Sequence, residues 1–277
     1  MNCYNGESYL QEAIESIMAQ SYTRWEIIFW DNQSKDSSAA IANSFSDSRI
    51  NYYLAKKHTN LGMARNMALD KTNGDWIAFL DVDDLWQKDK LEKQVALINE
   101  INRDIGFVYG RCEVIYSNQK KPSHVLKQGY LLPEGFIFDE LIFENFVPFV
   151  SAVVNKKKFM NMGGFHNDLQ HSTDYYMFLK LAEKFEAYPL QEVCCKYRVH
   201  DHNLTNIYRI QGELESIQIV SSFLPSPNVE KAIIYHYAGL AIAYLREKEI
   251  VLFLRSLLRQ GVFIRFLKRA FDAIRKK

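Results

Sequence analysis

Apolar residues return every three or four positions between Glu7 and Gln20, with Leu10, Ile14, Ile17 and Met18 on one face, and this spacing predicts a helix. Next comes a short, dense run, Trp25-Glu26-Ile27-Ile28-Phe29-Trp30, whose aromatic and β-branched content predicts a strand ending at Asp31. The polar loop Asn32-Gln33-Ser34-Lys35 follows, and Asp36 or Ser37 is placed to cap a helix reaching Phe45. Ile50 to Leu54 reads as a short strand, Met63 to Lys71 as a short helix, and Asp75 to Leu80 as another strand. Lys88 to Ile101 repeats Leu91, Val95, Ile98 and Ile101 along one face, predicting an amphipathic helix, and Ile105 to Tyr116 reads as a long strand. Strands alternating with helices indicate an α/β sheet that binds ligands at the carboxyl ends of its strands. Asp31 and Asp81 both fall at such ends and are expected to converge on one crevice.

The pattern changes after Thr205. Pro225 and Pro227 interrupt a helical stretch, Val229 to Lys248 predicts one helix, and Ile250 to Lys277 predicts another. The last carries Leu254, Leu257, Leu258, Val262, Phe263, Phe266, Leu267, Phe271 and Ile274 against Arg255, Arg259, Arg265, Lys268, Arg269 and Arg275. Such a basic amphipathic helix fits an anionic membrane surface; the other reading is a helix packed on the rest of the chain or on a second subunit.

Composition adds bounds. The chain has 277 residues, 48% hydrophobic and 14% aromatic, enough for a sizeable core and unlike a disordered chain. Its net charge of +1 predicts no nucleic-acid partner, and the charge is uneven: residues 255–277 carry eight basic side chains and one acid, Asp272. Cys3, Cys112, Cys194 and Cys195 form neither a metal-spaced set nor a disulfide framework, which fits a reducing, cytoplasmic setting. The first residues lack the basic-then-apolar pattern of a signal peptide, and the longest largely apolar stretch, Ala232 to Leu245, is fourteen residues, too short to span a bilayer.

The densest chemistry is Asp81-Val82-Asp83-Asp84, directly after the apolar run Trp76 to Leu80. Carboxylates crowded at a strand end repel one another and resist desolvation, so a cation is expected among them. Mg²⁺ bridging to substrate phosphates is one occupant; an acidic loop capping the helix that begins near Gln87 is the other reading.

Several segments together resemble the inverting glycosyltransferases of family 2, which have the GT-A nucleotide-diphospho-sugar fold. They are Asn2-Cys3-Tyr4-Asn5-Gly6-Glu7, Trp30 to Ser37, Asn60-Leu61-Gly62-Met63-Ala64-Arg65-Asn66, Gly74 to Trp86, Gly163-Gly164-Phe165, Thr173-Asp174-Tyr175-Tyr176 and Tyr197-Arg198-Val199-His200. The resemblance covers about residues 2–205, leaving 206–277 as a helical extension. It implies a Rossmann-like mixed sheet with helices on both faces, and transfer of a sugar from a nucleotide-diphospho-sugar to a hydroxyl.

The resemblance also assigns roles. Tyr4 and Asp31 match positions that hold the nucleoside, and Arg65 lies where contacts near the nucleotide are made, unless it is simply a solvated helix charge. Asp81 and Asp83 match the DXD motif: Asp81 toward the ribose or a bound water, Asp83 as ligand to Mg²⁺ or Mn²⁺ on the diphosphate. Asp84 is expected to be a local cap. Asp174 matches the general base, with two departures: Thr173 stands where an acid usually precedes it, and Tyr176 where a second Asp is frequent. His200 falls where related enzymes bring a side chain to the diphosphate or metal, Arg198 could serve phosphate, and Gly163-Gly164 reads as a turn.

The same family places a hydrophobic strand directly before the Asn2–Gly6 segment, so the chain is expected to lack its first strand, through truncation or a mistaken start. The reading is a metal-dependent, inverting glycosyltransferase on the inner face of the cell membrane, using a sugar or lipid-linked sugar acceptor in bacterial surface polysaccharide or glycolipid assembly. The alternative is a truncated, non-catalytic nucleotide-sugar-binding or scaffold protein. A nucleotidyltransferase is disfavoured, because Asn5-Gly6-Glu7 offers no basic phosphate loop.

Overall fold

The computed structural model describes residues 1–101, 103–117, 121–259 and 261–275, with side chains through Lys268 in the last helix. The chain forms two compact units: Met1–Ile137 with Phe146–His200, and Phe138–Asn145 with the residues from Asp201 onward.

In the first unit, β1 (Asn2–Cys3), α1 (Leu10–Met18), β2 (Ile27–Asp31), α2 (Ser38–Ser44), β3 (Ile50–Leu54) and α3 (Leu61–Leu69) come first. They are followed by β4 (Trp76–Ala78), β5 (Leu85–Trp86), α4 (Lys90–Glu100), β6 (Ile105–Tyr116) and β7 (His124–Val125). In the second unit α5 is Phe138–Leu141; the first unit resumes with β8 (Val153–Asn155), α6 (Lys156–Asn161), α7 (Thr173–Ala182) and β9 (Glu186–Val199). The second unit then carries α8 (Leu204–Ile207), α9 (Arg209–Ser221), α10 (Pro227–Arg246), α11 (Ile250–Leu257) and α12 (Val262–Arg275).

β1, β2 and β3 form a parallel sheet in the order β1-β2-β3. A second, mixed sheet runs β4-β8-β6-β9-β5, with β7 added to β6; only the β6–β9 pairing is parallel. β2 shows why its sequence reads as an unbroken apolar run. Ile27 and Phe29 pack with Leu10, Ile14 and Ile17 of α1, while Ile28 and Trp30 pack with Ala64 and Ala68 of α3. A strand covered on both faces buries every side chain and loses the alternation of a half-exposed one. All four cysteines are buried and unbridged, with Cys194 and Cys195 in the same cluster as α1.

Two differences from the sequence reading have physical causes. β9, fourteen residues long, was not anticipated: its pairing with β6 shifts register near Gly110 and Arg111, so its side chains keep no simple period of two. The segment from Ile250 is two helices rather than one, because Gly261 takes φ +78° and turns the chain between α11 and α12. Arg269, Phe271, Ile274 and Arg275 lie outside the described side chains.

β1 is two residues long and sits at its sheet's edge. The Met1 amine donates to the carbonyl of Ile28 at 2.9 Å, extending the parallel ladder by one bond, and burial lowers its pKa to about 6. Beside it lies a cavity of about 870 Å³ whose walls include Met1, Ile27 and Ile28 on one side and Trp76, Ile77, Ala78 and Val153 on the other.

Within the second unit, Pro227 occupies the first turn of α10, where its missing N–H costs nothing. Val229, Ala232, Ala238, Leu240, Ala241 and Ala243 of α10 are buried, as are Ile217, Ile219 and Val220 of α9. His236 bonds the Ile142 carbonyl at 3.0 Å and faces Glu213 at 3.6 Å.

Candidate active site

The loop after β4 holds the acidic cluster, and each carboxylate has a different partner. Asp81 accepts from Arg65 at 3.2 Å. Asp83 faces His200, Oδ2 to Nε2 at 2.9 Å. Asp84 is buried and accepts the backbone N–H of Arg198 at 2.8 Å, a strand-to-loop tie rather than a helix cap. Burial, followed by the charge of Asp81, raises the pKa of Asp83; burial, then Asp83 and Asp81, raises that of Asp84 well above the usual carboxylate range. Burial is the first cause of both shifts, and the neighbouring carboxylates add to it.

Arg65 is no solvated helix charge. It is buried on α3, its guanidinium stacked 4.0 Å from the Phe149 ring, with one arm on Asp81 and the other donating to Thr173 Oγ1 at 2.6 Å. α3 is fixed by Asn60, whose side chain accepts the Met63 N–H at 2.9 Å. Asn66, one turn along, accepts the Phe165 N–H and donates to the Phe165 carbonyl, both at 2.8 Å. That double bond seats the Gly163-Gly164 turn, where both glycines have positive φ, against the helix. Arg65 thus joins the acidic loop to the residue directly before Asp174. Asp174 is half-buried in the first turn of α7, where the helix dipole favours a carboxylate.

The amino-terminal segment meets the same loop. A Cβ at Gly6 would lie 2.7 Å from Cγ2 of Val82, so the backbone approaches as only glycine permits. Tyr4 is half-exposed, its ring 4.3 Å from that of His58. Asp31, 1% exposed at the end of β2, accepts the Ser34 N–H and the Tyr52 hydroxyl, both at 2.7 Å. Each of its oxygens has a further lone pair beyond these bonds. Burial and this bond push the Tyr52 phenol up to about 12. Asp36 ties the segment down by accepting the Glu7 and Ser38 N–H groups, both at 3.0 Å.

Arg198 donates to the Asp83 carbonyl at 3.0 Å and to Glu12 at 2.7 Å, and lies over the Tyr9 ring. Sequence reasoning missed Glu12, Tyr9, Tyr52 and the bond to Thr173. Tyr52 had a weak signal: on β3 it pairs with Phe29 of β2, which puts its hydroxyl within reach of Asp31 two residues along the same face.

Among the described residues, no three His, Cys, Asp or Glu side chains gather closely enough to hold a metal by themselves. Mg²⁺ and Mn²⁺ at diphosphate sites need only one or two protein carboxylates, the rest coming from phosphate and water, and Asp83, which faces His200, is a carboxylate of that kind.

The family model described as glycosyl transferase family 2 matches residues 1–154, more than half of the chain. The chain belongs to that family. Among curated members of the family, the Escherichia coli UDP-Glc:alpha-D-GlcNAc-diphosphoundecaprenol beta-1,3-glucosyltransferase WfgD is 28% identical over 208 residues, spanning 74% of this chain and 78% of WfgD. The fold is likewise shared with solved structures. S. aureus TarS residues 1–349 in complex with UDP-GlcNAc superposes with a TM-score of 0.70 at 14% identity, covering 92% of this chain and 78% of that one. The mannosyltransferase PcManGT from Pyrobaculum calidifontis, in complex with GDP-Man and Mn²⁺, gives 0.62 at 16% identity, covering 98% and 82%. This family 2 glycosyltransferase therefore has the GT-A architecture that its sequence led one to expect.

Proposed function

We propose that this glycosyltransferase moves a sugar from a nucleotide-diphospho-sugar to an acceptor hydroxyl with inversion at the anomeric carbon. The observation that carries the reading is Arg65, whose two arms hold Asp81 of the acidic loop and Thr173 beside Asp174. That pair of bonds supports the reading by linking the acidic loop to the residue next to Asp174, the carboxylate proposed as base.

Tyr4 and Asp31 would hold the nucleoside, Asp31 through a lone pair left after its bonds to Ser34 and Tyr52. Asp81, oriented by Arg65, would take the ribose or a bound water. Asp83 and His200 would hold Mg²⁺ or Mn²⁺; that cation supplies charge neutralisation to the departing diphosphate. Asp174 takes the proton of the acceptor hydroxyl as its oxygen attacks the anomeric carbon, and the bond to the diphosphate oxygen breaks with its electron pair leaving on the nucleotide. The presence of Mn²⁺ in the PcManGT complex supports the metal, and UDP-GlcNAc in the TarS complex supports a nucleotide-sugar donor.

WfgD, whose name specifies a diphosphoundecaprenol-linked sugar, supports a lipid-linked acceptor for this chain as well. A lipid-linked acceptor in surface polysaccharide or glycolipid assembly suits a peripheral enzyme at the inner face of the membrane. Among the described residues no helix is long and apolar enough to cross a bilayer. In α11 and α12, Ile250, Val251, Leu254, Phe263, Ile264 and Leu267 are exposed on helices that also bear Arg255, Arg265 and Lys268. A panel of UDP-, GDP- and dTDP-sugars offered with a polyprenyl-diphosphate-sugar acceptor and Mn²⁺ tests the proposal. Transfer from one donor supports it; binding of a donor without transfer to any acceptor favours the non-catalytic alternative.

A further inference from the structure

The segment between β7 and Ile137 is a loop with an unusual division of labour. Its backbone is fastened to the sheet at many points. Arg111, on β6, donates to the Lys127 carbonyl at 2.6 Å, to the Tyr130 carbonyl, and to the Gln191 carbonyl at 2.7 Å. The Gln191 side chain exchanges two hydrogen bonds with Leu132, both at 3.0 Å. Tyr109 donates its hydroxyl to the Pro133 carbonyl at 2.6 Å, and Gly135 pairs with Ala187 in both directions. Leu132 and Ile137 are buried as plugs. Lys127, Gly129 and Gly135 take positive φ, so the path of the loop is set residue by residue.

What this braced loop presents to solvent is apolar. Tyr130 is 71% exposed, Leu131 85% and Phe136 67%. A loop that merely connected two elements would carry polar tips; here a rigid backbone holds three large apolar side chains in water, which marks an interaction surface. The patch is too small for a stable protein partner. Three such side chains supply roughly 500 Å² when fully covered, whereas a specific protein interface takes roughly 800 Å² from each side. A lipid surface imposes no such minimum, and a tyrosine with an apolar ring and a polar tip suits the headgroup boundary. The chemistry alongside agrees: Lys127 accompanies Glu134 on the loop, and Lys121 and His124 lie just before it, so the flank is not acidic.

We propose that this loop is a lipid-inserting wedge, with Tyr130, Leu131 and Phe136 entering the boundary between headgroups and acyl chains. The proposal deepens the peripheral-membrane reading above and rests on it for the kind of surface, but it requires neither α11 nor α12 and no sugar transfer.

The test uses the full chain and vesicles of phosphatidylethanolamine and phosphatidylglycerol. Leu131→Trp should show a blue-shifted emission on vesicle addition and quenching by brominated acyl chains. A Leu131→Ser/Phe136→Ser double variant should partition about tenfold or more weakly, with an unchanged thermal melt and unchanged UDP-sugar binding. An emission that stays put while the chain sediments with vesicles assigns binding to the helices alone and overturns the wedge. So does a double variant that sediments like the parent, or absence of vesicle binding altogether. Light scattering that shows the parent as a dimer and the double variant as a monomer would reassign the patch to a second copy. Failure to bind any of the UDP-, GDP- and dTDP-sugars, with a positive emission shift, would remove the glycosyl-transfer reading and leave the wedge standing.

Discussion

Arg65 donates to Thr173 across 2.6 Å although the two are 108 residues apart in the chain. This bond gives a purpose to the residue that departs from the family pattern just before Asp174. An acid there would form a charged pair with Arg65; the threonine hydroxyl keeps the hydrogen bond without the second charge.

Thr173→Val is nearly isosteric but leaves a buried guanidinium N–H without its acceptor. The expected cost is about 1–3 kcal/mol in urea unfolding, with a fall in sugar transfer, whereas Thr173→Asp should keep both near the parent. Equal stability of the valine variant and the parent would remove Thr173 from this role.

The Tyr52 phenol, held up to about 12, makes a prediction with a definite sign. Its unfolded pKa is near 10, so between pH 10 and 12 the folded state retains a proton that the unfolded state has lost. Stability falls as pH rises through that window, and Tyr52→Phe should lack this component. Spectrophotometric titration at alkaline pH should show one fewer late-ionising tyrosine in the variant. Full ionisation of Tyr52 near 10 would contradict the bond to Asp31.

Asp83→Ala should abolish the stabilisation that Mn²⁺ and a nucleoside diphosphate confer together. For the parent, ligand at a hundredfold excess over its Kd gives about 2.7 kcal/mol, readable as a thermal shift. A shift that survives in Asp83→Ala and in His200→Ala would place the cation elsewhere.

Two glycines separate backbone approach from helix propensity. A Cβ at Gly62 would run into the His166 carbonyl oxygen, while one at Gly212 in α9 meets nothing within 4 Å. Gly62→Ala should therefore destabilise by about 1–3 kcal/mol, and Gly212→Ala should stabilise by up to about 1 kcal/mol. The reverse order in a denaturant series would contradict the packing of α3 on the loop after Gly164.

Much of this was readable along the chain, for reasons that differ by element. β2 and the first half of β6 declare themselves as unbroken apolar runs buried on both faces, and α4 by the period of the one face it buries. The clustering of Asp81, Asp83 and Asp84 is legible because like charges adjacent in sequence stay adjacent in space. The Arg65–Thr173 bond, the Tyr52 hydroxyl on Asp31 and the Arg198–Glu12 pair were not legible, since each joins positions whose proximity only the tertiary fold creates. β9 escaped notice because bulges broke its period, and the turn at Gly261 because one glycine in a strongly amphipathic run is easily read through.

The assignment of Asp174 as base is tested most directly by Asp174→Asn, measured for donor binding and for transfer in parallel. The account predicts donor and Mn²⁺ binding like the parent, with transfer reduced by about 10²–10⁴-fold. Transfer at the parent's rate by this variant would contradict it.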